Sequence, residues 1–321
     1  MTETASPADR VSTPVDGVEV LGALSPSRAS DFVRCPLAFR FRTIDKLPEP
    51  PSPQAVRGTL VHRVLEDLFD LPAERRTPQE ARALLRPGWA GLLEREPELA
   101  TLFEPGADGA DGSGDDLDAW LASCESAIES WFELEDPQRL EPAEREVYVE
   151  ALLDSRLLLR GFIDRVDVAA DGAVRIVDYK SSKAPGVGFE ATAMFQMRFY
   201  ALVWWRLHGV LPTRLQLVYL GSGEVLTYEP DEADLEATRR KVEAIWAAIE
   251  EARATRTWLP HRGRPCDWCA HQALCPAWGG TPPPLPEVVP VVVADEGPDE
   301  ASTEGPTEGP TGRPAQAGVR A

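Results

Sequence analysis

Two short runs decide the reading of this chain: G-F-I-D-R-V-D at residues 161–167 and, after a turn, I-V-D-Y-K-S-S at 176–182. Both have strand character, and Ala170-Asp171-Gly172 between them has turn chemistry, so residues 156–168 and 173–180 are predicted to form a β-hairpin. Asp178 and Lys180 stand two apart on one strand and emerge on the same face. Asp164 lies on the preceding strand, across the hairpin, where two carboxylates can converge. Charges on such apolar strands need compensation. Hard carboxylate oxygens suit Mg2+ or Mn2+, and the backbone carbonyl of Tyr179 is a further candidate ligand. Lys180 beside the ion would orient water or stabilise developing phosphate charge. The other reading of these residues alone is an Asp–Lys ion pair on a solvated sheet face.

Outward from the hairpin the chain alternates in type. Helical spacing of apolar residues predicts helices over 27–43, 56–70 and 117–134, the first announced by Ser25-Pro26. Strands are expected at 145–153, 214–220 and 224–229, and helices at 190–208 and 231–254. This order gives a mixed α/β domain with one central sheet, a helical N-terminal part and a C-terminal cysteine segment. The folded body is placed at 23–278, between a disordered N-terminal segment (1–22) and a disordered acidic, Pro/Gly-rich tail (279–321) containing the near-repeat TEGPTEGP. The acidic run GADGADGSGDD at 106–116 reads as a surface loop.

Four ordered motifs along roughly 24–278 resemble the RecB-like exonuclease branch of the PD-(D/E)XK nuclease superfamily. They are Arg57, Gly58 and His62 in R-G-T-L-V-H; Gly161, Asp164, Arg165 and Asp167; Asp178, Tyr179 and Lys180; and Gln196 and Tyr200 in a Q-x-x-x-Y helix. The resemblance implies a restriction-endonuclease-like αβββαβ core. It implies His62, Asp164, Asp178 and the Tyr179 carbonyl as metal ligands and Lys180 as the catalytic lysine. Gln196 and Tyr200, one helical turn apart, would position the lysine or the DNA strand. Glu66, a turn beyond His62, reads better as a partner of Arg63.

Cys266, Cys269 and Cys275 form C-x2-C-x5-C, and Cys35, like Cys275, precedes a proline. Clustered thiols in a chain with no apolar leader suggest metal rather than disulfides. The resemblance extends to AddB-type and CRISPR-associated members, whose one-plus-three cysteine arrangement implies a [4Fe–4S] cluster on all four residues. A structural Zn2+ on four cysteines, with His261 or His271 as substitutes, is the rival. Cys124 lies in an apolar helix stripe and reads as core. Trp204 and Trp205 also read as core, with base stacking as the other possibility, and Arg28, Arg34, Arg40 and Arg42 as a solvated face or a local DNA track.

Composition bounds these readings. The 321 residues carry a formal net charge of −20, which excludes a protein that coats nucleic acid by basic surface alone. No apolar run approaches the length of a membrane span, and the N-terminus lacks a signal-peptide core, so a cytoplasmic location is expected. There is no G-x4-G-K-[ST] run, so unwinding would need a partner helicase or an already frayed end. The expected function is a metal-dependent DNA exonuclease in repair or recombination. The alternatives are a catalytically idle DNA-end-binding scaffold and a CRISPR-associated processing nuclease.

Overall fold

The computed structural model describes residues 17–103, 117–184 and 190–287, with the side chains of 190–192 excepted. The 106–116 run and most of both termini therefore lie outside the described residues.

Helix starts follow one chemical pattern. Ser25, Ser52 and Thr77 each accept a hydrogen bond from a backbone N–H of the first turn, with a proline at the next position. The cap satisfies an otherwise orphan donor, and proline has no N–H to lose there. After the short strand β1 (Gly22–Leu24) these signals open α1 (Pro26–Arg34), α3 (Pro53–Leu68) and α4 (Pro78–Arg95), with α2 (Pro36–Phe39) between the first two. The single helix expected over 27–43 is interrupted. Cys35 is extended (φ −161°), because the following Pro36 disfavours helical backbone before it, and Arg40–Ile44 winds into a π turn. The sequence reading did not assign α4, which has Pro87 inside it.

Next come α5 (Leu117–Leu134), β2 (Glu144–Leu152), β3 (Leu157–Val168), β4 (Val174–Lys180), α6 (Glu190–His208), β5 (Arg214–Tyr219), β6 (Glu224–Tyr228) and α7 (Glu232–Thr255), the last opened by an Asp231/Asp234 capping box. The αβββαβ order is present as α3-β2-β3-β4-α6-β5. Among the described residues the strands form one six-stranded mixed sheet. One edge of β3 pairs antiparallel with β2. Its other edge is shared between β1, parallel at Leu157–Leu159, and β4, antiparallel at Arg165–Val168. The β3–β4 turn relies on Gly172, whose φ of +84° falls where a side chain is strained. β4 then pairs parallel with β5, joined through α6.

One face of the sheet packs Ile163, Ile176, Leu215 and Leu217 against α1, α6 and α7. On the other, Val177, Tyr179, Val218 and Leu220 pack against α3, α4 and α5. Cys124, Trp204 and Trp205 join these cores, as read.

Ordered contacts extend a few residues beyond the 23–278 body on each side. Val20 is fully buried and the Leu21 N–H donates to Arg156 O (2.9 Å), so ordered packing begins before 22. At the other end the Pro-rich 281–287 segment folds back. The Arg40 guanidinium donates to Pro283 O, and Arg256 to Pro286 O and Glu287 O (both 3.0 Å). Proline-rich backbone keeps its carbonyl acceptors while lacking donors, which suits it to buried or clustered guanidinium groups.

Candidate active site

The break in β3's pairing creates the site. Side chains of β2 and β3 alternate regularly from Val147 and Ile163 onward, which point into the α6 side of the core. One step earlier the alternation reverses: Arg145 reaches Glu66 O and Asp70 on and beyond α3, and Arg165 reaches Glu135 beyond α5. The reversal is centred on Glu146, held at φ +42°, and on Asp164 opposite it. A non-glycine residue at positive φ is strained by about 1–3 kcal/mol and persists where its surroundings over-determine it. Here the bend turns two carboxylates toward α3.

Helix α3 is pinned to meet them. Arg57 Nη2 donates to Ser181 O (2.9 Å), just past β4, and Gly58 leaves only 3.4 Å to Ser181 Oγ for a Cβ. One turn further on, His62 Nε2 donates to Tyr179 O (2.9 Å). The carbonyl can only accept, so Nε2 carries a proton, and Nδ1 faces Glu146 Oε1 (3.5 Å) and Asp164 Oδ2 (3.6 Å). Asp164 Oδ2 also accepts from Tyr179 N (2.6 Å), filling the place of a missing ladder partner between β3 and β4.

The lysine side is built on β4 and α6. Lys180 Nζ lies 3.0 Å from Asp178 Oδ2 and donates to Gln196 Oε1 (2.9 Å), while Gln196 Nε2 reaches Tyr200 Oη (3.4 Å). The Tyr200 ring lies against Gly161, where an added Cβ would come within 2.8 Å of it. Gly161 is thus the slot that admits this tyrosine. Arg165, 1% exposed, holds Glu135 through two bonds (2.6 and 2.8 Å) and donates to the Tyr179 hydroxyl, so it anchors the ligand-bearing strands rather than facing the cluster.

The cluster is buried and rich in carboxyl groups. Asp178 is 2% exposed, and burial, opposed by Lys180, pushes its carboxyl up to about 7. Asp164 is raised by burial as well, against the pull of His62. Burial disfavours charge on His62, but Asp164 and Glu146 outweigh it and raise the imidazole to about 10. Glu146 Oε2 is buried with no hydrogen-bond partner. An orphan carboxylate oxygen beside two acids with raised pKa is a donor set short of a cation, and the mix of one imidazole with hard oxygens fits a divalent metal.

The structure brings His62, Asp164, Asp178 and Lys180 together, with Gln196 and Tyr200 behind the lysine, while Tyr179 O is taken up by His62 Nε2–H on the far side of the ring from the carboxylates. It adds Glu146: His62, Glu146 and Asp164 each offer a ligand atom within 4.8 Å of the others. In the sequence Glu146 is one of several glutamates alternating along 144–150, and nothing local separates it from Glu144 or Glu150. Only its backbone reversal and its place opposite Asp164 do. Glu66 pairs with Arg63 (3.4 Å), as read. The arginine track does not form: Arg40 is buried on Asp45 (2.9 Å), and Arg42 is engaged by Asp31 and Glu49.

This arrangement agrees with the comparisons to known proteins. The sequence pattern of the PD-(D/E)XK nuclease superfamily matches residues 23–276. The chain belongs to the PD-(D/E)XK nuclease superfamily. The gene 69 protein of Mycobacterium phage D29 is 26% identical over 269 residues, covering 79% of this chain and 96% of that protein. A crystal structure of a candidate exonuclease from Eubacterium rectale superposes with a TM-score of 0.52 at 14% identity, over 78% of this chain and 88% of that one, a likeness of fold. PD-(D/E)XK nucleases use divalent metals, and a nuclease fold implies a DNA substrate.

The cysteines lie elsewhere. His261 N donates to Cys35 Sγ (3.4 Å), and Cys266 Sγ approaches His261 O (3.9 Å), so residues 231 positions apart meet at one backbone unit. His271 is buried against Phe41, with Nε2 2.7 Å from Glu49. That contact lowers the Glu49 carboxyl to about 2 and ties the cysteine segment to the linker leading into α3. No helix among the described residues is long and apolar enough to cross a membrane.

Proposed function

We propose that this chain is a divalent-metal-dependent DNA exonuclease of the RecB-like class, acting on single-stranded or frayed ends in DNA repair or recombination. The observation that carries this reading is the convergence of His62, Glu146 and Asp164 in one buried group, with Asp178 and Lys180 paired beside it. His62 Nδ1 and the Glu146 and Asp164 carboxylates are the groups that would hold the cation, with Asp178 beside them; Tyr179 O is engaged by His62 Nε2–H on the other side of the ring. When bound, a divalent cation supplies Lewis-acid polarisation of a phosphoryl oxygen and a lowered pKa for water. His62 is oriented for this by its Nε2–H bond to Tyr179 O, which leaves Nδ1 toward the carboxylates. Lys180 is held by Gln196 with its ammonium beside Asp178, where it stabilises negative charge developing on the phosphate. Gln196 and Tyr200 are positioning residues.

Lys180→Ala, assayed on labelled DNA with Mg2+ or Mn2+ and an EDTA control, should abolish degradation while the far-UV spectrum is unchanged. Undiminished cleavage would remove the assignment, and a wild-type protein that binds ends without cutting would favour the idle scaffold.

For Cys35, Cys266, Cys269 and Cys275 the reading is a structural [4Fe–4S] cluster joining the α1–α2 break to the C-terminal segment, supported by the meeting of Cys35 and Cys266 at His261. Anaerobic purification with iron and zinc analysis decides it: brown, iron-bearing protein supports the cluster, and colourless, zinc-loaded protein supports Zn2+.

A further inference from the structure

Beside the metal cluster the sheet carries an aromatic surface that neither core uses. Glu146 lies opposite Asp164; two residues along, Tyr148 pairs with Phe162. Residues Val147, Val149, Leu159 and Ile163 point into the α6 side, so Glu146, Tyr148, Phe162 and Asp164 share the opposite face. Over β4 and β5 that face is covered by α3–α5, but Tyr148 and Phe162 belong to none of the buried clusters. Tyr148 is 39% exposed. The two rings lie 5.3 Å apart at 57°, and the Tyr148 hydroxyl donates to Glu150 (2.9 Å), which fixes the outer ring.

We propose that Tyr148 and Phe162 form a stacking ledge for an unpaired nucleobase next to the phosphodiester being cut. This deepens the nuclease reading above and rests on it. One strand step of two residues, about 6.6 Å, separates the ledge from the carboxylates. That is close enough for a phosphate at the cluster and a neighbouring base at the ledge to belong to one strand. Glu146 and Asp164 lie on this face, and Glu150 stands across from Arg160, which also reaches the Tyr148 side chain; the ring faces add a grip that is independent of charge and tolerant of base identity. A base inside a duplex has both faces covered, so the ledge selects single strands and frayed ends.

The test compares Tyr148→Ala and Phe162→Ala with wild type. Binding is measured by fluorescence anisotropy in Ca2+ on a labelled single strand, the same strand made abasic, and a blunt duplex; cleavage kinetics are measured in Mg2+. Each alanine variant should weaken binding of the base-bearing strand about tenfold, equivalent to ~1.4 kcal/mol. KM should rise in step while kcat holds within about twofold. Binding of the abasic strand should not change, and Tyr148→Phe should restore wild-type behaviour. Unchanged binding, or an equal loss on the abasic strand, overturns the ledge. So does self-association of the wild type that Phe162→Ala dissolves, which would make the face an interface between copies. If wild type cleaves and these variants match it, only the ledge falls; if wild type neither binds nor cuts DNA, the nuclease reading falls first.

Discussion

At the residue scale Glu146 concentrates three costs: positive φ, burial of an oxygen without a partner, and proximity to Asp164. Stability and function should therefore separate there. Glu146→Gln and Glu146→Gly both remove the carboxylate that faces His62, but only the glycine relieves the positive-φ strain, so in EDTA Glu146→Gly should melt above Glu146→Gln by about 1 kcal/mol. Both should lose cation-dependent cleavage by a factor of about 10 to 100, the range seen when groups around a metal are removed. Thermal melts and a Mn2+ titration check this. Asp178 gives a pH prediction. Its folded pKa of about 7 lies above the unfolded value near ~3.9, so the folded state binds the proton more tightly. Its contribution is thus favourable below about pH 4, declines as pH rises, and levels off above about 7. In EDTA the wild-type melting temperature should fall across that window by at least about 2 °C more than that of Asp178→Asn. A steeper fall in the variant would contradict the assignment.

At the element scale the site depends on α3, β3 and β4 being locked in register. Arg165 does much of this, joining Glu135 beyond α5 to the Tyr179 hydroxyl on β4. Breaking a buried pair leaves an uncompensated charge, whereas replacing both partners does not. Arg165→Met should cost about 3–5 kcal/mol in urea unfolding, and adding Glu135→Met should recover most of that loss. Most elements were legible beforehand, since the helices over 117–134 and 190–208 and the β3–β4 hairpin follow from apolar period and turn residues. The helix break at Cys35 was written in Pro36 but outweighed by the apolar spacing on either side. β1 is three residues long and takes its identity from pairing with Leu157–Leu159, so no local pattern marks it.

At the scale of the whole molecule the described C-terminal segment is tied to the α1–α2 region and to the end of α7. Arg40 holds Pro283 O, Arg256 holds the carbonyls of Pro286 and Glu287, and Cys35 meets His261. A chain ended after Trp278 leaves the buried Arg40 guanidinium without its carbonyl acceptor, at a cost of about 1–3 kcal/mol. It should melt about 2–8 °C below a chain ended after Glu287, with cleavage at the remote metal cluster retained at permissive temperature. Equal melting temperatures would show that the folded-back segment adds no stability. The folded-back contacts of 281–287 were not legible because composition registers proline and glycine as absence of a core, and carbonyls recruited by distant arginines leave no trace in it.

The amino-acid order alone pointed to the α/β class, most of the succession of elements, and Asp164, Asp178 and Lys180 as a strand-borne constellation, each through short-range periodicity or spacing. His62, Gln196 and Tyr200 were marked by the resemblance of four ordered motifs to the RecB-like pattern, not by local spacing. Glu146, the structural service of Arg165, the loss of the arginine track to internal ion pairs, and the uncovered Tyr148–Phe162 face were decided by tertiary structure. They depend on which backbone bends, which strand lies opposite which, and which face a neighbouring helix happens to cover. Those relations join residues far apart in the chain, and local spacing does not encode them.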